Sequence, residues 1–226
     1  QKWILQKILL PYSEWIFSDN CTGFRNWFSI VDNAKHHTSK EVIIKLDISD
    51  FFPSISQARV YGFSRKNLGL NHQLSSYISW LCSYKNELPQ WPPTSPRIAT
   101  LIGVYIDNII LKLIEKSNKW NENLKLTYSR YADDMTFSYD DEVLNPNKFI
   151  NYIQTIIEWE WFLLNLRKIR LFRRHQKQEV TWIIVNNTWL SIWRKKYKLF
   201  RAIVHSIKEK WWEWALEKWN FVHKKK

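Results

Sequence analysis

The chain has 226 residues but only four glycines, where average usage supplies roughly 16. Cysteine is as scarce. Cys21 and Cys82 stand far apart, which argues against a disulfide framework and a Cys-rich zinc site, and points to the cytoplasm. No stretch reaches the roughly 18 uninterrupted apolar residues of a membrane span. Residues 1–20 lack the charged, apolar and cleavage-site pattern of a secretory leader. There is no internal repeat and no Gly/Ser linker. Acidic residues are short too: 21 Asp and Glu face 34 Lys and Arg, a formal net charge of +13. Such a basic chain has a polyanion as its default partner, nucleic acid first and an anionic membrane surface a distant second.

What is present is enough for a sizeable core, since 45% of the residues are hydrophobic. Residues 2–10 have helical apolar spacing. Residues 41–48 (EVIIKLDI) are rich in β-branched residues and read as a buried strand entering a turn at Pro53. Residues 57–68 and 72–85 read as helices. The prolines at 89–96 mark a loop, and 97–117 a long helix. Alternation on both sides of Ala132-Asp133-Asp134 reads as a β-hairpin with acids at its tip. A helix over 147–159, short strands over 168–173 and 179–186, and a basic aromatic helix over 194–222 follow. This order implies an α+β fold.

Three acids then draw attention: Asp47 at the end of an apolar strand, and Asp133 and Asp134 at the hairpin tip. A carboxylate at a buried strand end is costly unless it is paired or binds a cation. Taken singly, each acid reads first as a solvated turn residue, as acids at strand ends and hairpin tips mostly are. Together they could hold two Mg²⁺ ions, the arrangement that activates a 3′-hydroxyl and stabilises leaving pyrophosphate.

The surrounding residues say more. LDISDFFPSI (46–55), LPQWPPTSP (88–96), YSRYADDMTFS (128–138) and FLLNLRK (162–168) resemble motifs A, B, C and D of reverse transcriptases, in order and at family-like spacing. Asn33-Ala34-Lys35-His36-His37 resembles the NAxxH signature of the retron branch, and Val180-Thr181-Trp182 stands where that branch carries VTG. The resemblance runs from about residue 1 to about residue 210. It implies a right-hand polymerase fold: partial fingers (1–44), a palm on an antiparallel sheet (45–190, with finger helices near 57–87) and the start of a truncated thumb (191–226).

The resemblance also implies roles. Asp47, Asp133, Asp134 and the Ile48 carbonyl would hold two Mg²⁺ ions, with Mn²⁺ as an alternative. Lys168 matches the motif D lysine that protonates pyrophosphate, or else is an exposed strand-edge lysine. Phe52 matches the aromatic gate against ribonucleotides, unless the register shifts and Phe51 is the gate. Gln90 and Trp91 would lie against the nucleotide. Asn33, His37, Val180, Thr181 and Trp182, with Arg194, Lys195 and Lys196 in the basic tail, would meet RNA. Arg25, Arg130, Arg167, Arg170, Arg173 and Arg174 could meet phosphates. The implied partners are dNTPs, a structured noncoding RNA with its DNA product, and an effector protein in anti-phage defence. Two other readings stand beside this one: a catalytically impaired RNA-binding remnant, and a group II intron or diversity-generating reverse transcriptase, against which both signatures argue.

The 15 tryptophans complicate the reading. Trp27, Trp91, Trp161, Trp182 and Trp193 fall where the family carries glycine, and Phe28 follows where it carries arginine. An indole in motif B should obstruct the site, and each glycine site should be strained by about 1–3 kcal/mol. UGA codons that mean glycine, translated here as tryptophan, would produce this pattern.

Overall fold

The computed structural model describes all residues except Glu14, Glu142, Trp193 and 224–226; the side chains of 194–196 and 213–223 also lie outside the described set. Residues Gln1–Leu190 form one compact unit and Ser191–Lys226 a second. The second contains β8 (Ser191–Ile192) and the helix α8 (Arg194–His223).

The first unit opens with a helical segment built from α1 (Lys2–Ile4), a π turn (Leu5–Leu9) and α2 (Leu10–Ser13). Helix α3 (Ile30–Lys35) starts in a capping box: Ser29 accepts from Val31 N–H, and Asp32 accepts from Ser29 N–H. Strand β1 (Val42–Ser49) follows, then α4 (Gln57–Lys66) and α5 (His72–Cys82), each with an N-cap side chain, Ser56 and Asn71. Helix α6 (Ser95–Trp120) begins inside the proline cluster, because Pro96 needs no N–H in the first turn. Next come the hairpin β2 (Thr127–Tyr131) and β3 (Asp134–Tyr139), α7 (Pro146–Trp159), β4 (Leu163–Leu164), β5 (Arg170–Arg173), β6 (Glu179–Val180) and β7 (Ile183–Ile184).

The main sheet is antiparallel with β1 at its centre, as the α+β reading requires. One edge of β1 pairs with β3; the other is shared by β5 along Val42–Lys45 and β4 at Ile48–Ser49. Period-two alternation gives the sheet two faces. On the first, Ile44, Leu46, Ile48, Tyr128, Met135 and Phe137 pack into the large core with α6 and α7. The second carries Ile43 at one end, in a small cluster with Ala34, Val180, Ile183 and Val185, and the acids at the other. Residues 179–186 are not one strand but a hairpin with a two-residue turn. Lys168 lies in a 3₁₀ turn (Leu166–Lys168) ahead of β5.

Every tryptophan whose side chain is described is exposed, although tryptophan is on average a well-buried residue. Three of them occupy left-handed backbone: Trp27 (φ 68°), Trp161 (φ 59°) and Trp182 (φ 75°). Trp161 terminates α7. Its N–H bonds the Glu158 carbonyl at 3.0 Å and Phe162 N–H bonds the Ile157 carbonyl at 3.1 Å, a Schellman ending whose left-handed residue is usually glycine. Trp182 follows Thr181 (φ 41°) in the β6–β7 turn; two positive φ values define a type I′ turn, which favours glycine at its second position. Trp91 is not left-handed, so the strain expected there is absent. Trp193 lies outside the described residues.

Candidate active site

The hairpin register brings the acids together. Asp47 stands directly opposite Asp134, and Ile48 N–H donates to the Asp133 carbonyl at 3.1 Å. Position 48 therefore bonds toward β3 while 47 and 134 form a non-hydrogen-bonded pair, in which side chains come closest. In a strand the N–H and C=O of one residue point the same way, so the Ile48 carbonyl also faces the hairpin tip. Asp133 sits in the two-residue turn after Ala132, whose φ is 58°.

The shared edge of β1 places the cation. Between β4 and β5 the chain leaves the sheet in the turn Leu166–Lys168. Asn165 N–H bonds the Asp47 carbonyl at 2.8 Å, and Lys168 N–H bonds back to Asn165 at 3.0 Å. The Lys168 Nζ then lies 2.9 and 3.0 Å from the two Asp47 carboxylate oxygens. That bond, with the acids around it, raises the lysine pKa. Burial raises the pKa of Asp133, and the neighbouring Asp134 and Asp47 add to it. Burial does the same for Asp134, opposed first by Lys45 and reinforced by Asp47. Burial and mutual repulsion therefore raise the pKa of both hairpin acids, and Lys45 and Lys168 offset this only in part.

Hard oxygen donors in this number suit a divalent cation such as Mg²⁺ or Mn²⁺. Among the described residues no three His, Cys, Asp or Glu side chains are already closed around one point.

A cavity of about 560 Å³ opens beside the acids, lined by Asp47, Ile48, Asp133 and Lys168 together with Phe52, Gln90 and Trp91. The structure thus gathers motifs A to D around one space. Phe51 is buried against Phe162, with ring centroids 5.5 Å apart, whereas Phe52 is half-buried. Both line the cavity; Phe51 belongs to the core, and Phe52 packs partly buried against it. Trp91 is 93% exposed.

The signature residues read as RNA-binding are placed elsewhere. Asn33, His37, Val180 and Thr181 are buried, so no RNA at the surface meets their side chains; that expectation is corrected. Asn33 accepts from Thr22 and donates to Thr181 at 3.3 Å, and Thr181 donates to the Ile30 carbonyl. The two signatures therefore bond to each other, α3 to the β6–β7 turn. The His37 ring bridges Ser138 and Ser129, 2.7 Å from each, and so ties β3 to β2. Burial pushes its pKa down to about 3. Trp182 is exposed at the turn. The side chains of Arg194, Lys195 and Lys196 lie outside the described residues.

Of the arginines read as phosphate ligands, Arg130 is corrected, whereas Arg25 is half-buried with one guanidinium nitrogen bonded within the chain. Arg25 donates to the Ser18 and Cys21 carbonyls and lies 3.9 Å above the Phe28 ring. Arg130 is fully buried and paired with Asp107 of α6 at 2.6 Å. Asp107 went unnoticed in the sequence, although a lone acid inside the apolar run IATLIGVYIDNII was its signal.

No helix among the described residues is long and apolar enough to cross a membrane. Both cysteines are free and buried.

Comparison with known proteins matches residues 2–187 to the reverse transcriptase (RNA-dependent DNA polymerase) family. The Escherichia coli retron Ec86 reverse transcriptase is 34% identical over 207 residues, covering 92% of this chain and 61% of that protein. The Myxococcus xanthus retron Mx162 reverse transcriptase is 29% identical, covering 92% of this chain and 47% of that one. The retron Mx65 enzyme of the same organism is 30% identical, covering 83% and 46%. The chain thus spans about half to three-fifths of the length of these relatives. With the four motifs around one cavity and a match over most of its length, the chain belongs to the reverse transcriptase family, among relatives of the retron type.

Proposed function

We propose that this chain carries the polymerase centre of a retron-type reverse transcriptase, an RNA-directed DNA polymerase that adds dNTPs to a primer strand on an RNA template. The observation that carries the reading is that Asp47, Asp133 and Lys168 line one cavity of about 560 Å³, with Asp134 paired directly opposite Asp47. Asp47, Asp133, Asp134 and the Ile48 carbonyl would hold two Mg²⁺ ions, with Mn²⁺ as the alternative. Such ions, when bound, activate the attacking hydroxyl and neutralise the developing phosphate charge. Lys168, which bonds Asp47 here, would supply its ammonium as a proton donor for the departing pyrophosphate. Phe52 crowds a ribose 2′-hydroxyl and so favours dNTPs. Gln90 and Trp91 flank the nucleotide.

The proposed template and primer is a structured noncoding RNA, held through the basic surface of a chain with net charge +13. An anti-phage role and an effector protein as partner belong to the same proposal and rest on the retron-type resemblance alone. In this reading Gln1–Leu190 contains fingers and palm, and Ser191–Lys226 begins the thumb.

A second reading, an RNA-binding remnant without catalysis, is favoured by one observation: Trp91 lines the cavity. Primer extension on an RNA template with dNTPs and Mg²⁺ separates the two. The written chain is run beside one with Trp27, Trp91, Trp161, Trp182 and Trp193 changed to Gly, each with an Asp133→Ala control. Extension that the control abolishes supports the polymerase. RNA binding without extension in both chains supports the remnant.

A further inference from the structure

Arg130 is the largest fully buried side chain among the described residues, and every nitrogen of its guanidinium is engaged. Nε and Nη2 donate to the two oxygens of Asp107, at 2.8 and 2.6 Å. Nη2 also reaches the Thr100 carbonyl at 3.2 Å and Cys21 Sγ at 3.5 Å. Nη1 donates to the carbonyl of Ala132 at 3.0 Å. That last bond matters most, because the Ala132 carbonyl belongs to the peptide that enters Asp133. Tyr128 Oη donates to Asp107 at 2.6 Å and completes the shell on the core side.

The turn held in this way is strained and crowded. Ala132 is left-handed at φ 58°, a conformation that persists in a non-glycine residue only when its surroundings over-determine it. Segment 20–22 runs alongside β2, with Arg130 N–H bonded to Asn20 and Thr22 N–H bonded to the Arg130 carbonyl, at 2.8 and 2.9 Å. Two of the chain's four glycines abut this assembly. A Cβ at Gly23 would stand 2.4 Å from the Ala132 nitrogen, and one at Gly103 of α6 would stand 2.8 Å from the guanidinium. A chain this poor in glycine keeps half of what it has where the hairpin turn must be approached closely.

Burying an ion pair is poor economy for stability alone, since well-packed apolar residues do as well or better. We propose that Arg130 and Asp107 are positioning residues: they fix the Ala132–Asp133 turn from behind, and so set the Asp133 carboxylate against Asp47. The readout through cation binding rests on the proposed function of the acids; the readout through the turn itself does not.

The test uses the full chain with three changes: the apolar double variant Arg130→Met/Asp107→Leu, the single variant Arg130→Lys, and Gly103→Ala. The last improves helix propensity in α6 while its methyl displaces the guanidinium, so it separates positioning from stability and serves if the double variant does not fold. Hydrogen exchange across 128–138, without metal, reads the turn. Mn²⁺ binding by electron paramagnetic resonance, with Asp133→Asn as reference, reads the carboxylates. The expected result is faster exchange confined to the turn, with α6 still protected, and Mn²⁺ affinity reduced by about tenfold, as for supporting residues of other metal sites. Unchanged exchange in variants that fold overturns the proposal. So does a loosened turn with parental Mn²⁺ affinity. A loosened turn in a parent chain that binds no Mn²⁺ upholds the clamp and overturns the cation reading of the acids instead.

Discussion

Replacing Trp27 by glycine should stabilise the protein. Its backbone stands at φ 68°, and its side chain is 99% exposed. A non-glycine residue in left-handed backbone costs about 1–2 kcal/mol. Glycine gives back about 0.5–1 kcal/mol through its freer unfolded chain. The ring buries almost nothing, so no hydrophobic term opposes the change. The net gain is about 0.5–1 kcal/mol, and for a chain of this size about 2–4 °C in Tm per kcal/mol. Trp80, inside α5 and 70% exposed, is the matched control. There the same change should destabilise by about 0.5 kcal/mol from helix propensity, plus the contacts of its buried part. Trp161→Gly and Trp182→Gly should follow Trp27 in sign with smaller gains, because these rings are 82% and 64% exposed. Urea unfolding followed by far-UV circular dichroism avoids the lost fluorophore. A fall in stability for Trp27→Gly, or shifts of the same sign at 27 and 80, would refute the reasoning.

Four further outcomes are expected. The His37 ring is neutral in the fold with its pKa near 3, against 6.5 for a free histidine; stability is full above pH 6.5 and lost as pH falls from there toward 3, by about 2 kcal/mol between pH 7 and 5, in denaturant titrations at the two pH values. Lys168→Met, at an exposed lysine that holds Asp47, should leave Tm nearly unchanged, tighten Mn²⁺ binding and slow extension; weaker Mn²⁺ binding refutes the competition between the two cations. Asn33→Ala removes two buried hydrogen bonds, from Thr22 and to Thr181, whose hydroxyls keep the Arg130 and Ile30 carbonyls as partners; it should cost about 1–3 kcal/mol without weakening RNA binding per folded molecule, read by calorimetry and filter binding. Codons 27, 161 and 182 should be UGA if the tryptophans stand for glycine; UGG at those codons contradicts recoding.

Much of this was legible in the sequence because its patterns are local. EVIIKLDI names a strand by composition, and the alternation around Ala132-Asp133-Asp134 names a hairpin whose register then puts Asp134 opposite Asp47. The motif D lysine was legible as a residue, but its place was not. Its position depends on β1 sharing one edge between β4 and β5, a long-range pairing that two-residue strands do not announce. Burial was least legible where polar residues satisfy one another. Asn33, His37 and Arg130 look like surface ligands in a basic chain, yet their partners Thr181, Ser138 and Asp107 lie 148, 101 and 23 positions away. The tryptophans were legible as anomalies; only the backbone separates Trp161 and Trp182, at glycine conformations, from Trp91, which is not left-handed.

The most direct test of the central claim is primer extension by the glycine-restored chain carrying Asp134→Asn. Burial works against the ionised Asp134 carboxylate, so the neutral variant should fold at least as well as its parent. The account expects no extension from this well-folded chain. Extension at the parental rate would contradict it, because the carboxylate opposite Asp47 would then have no part in the chemistry.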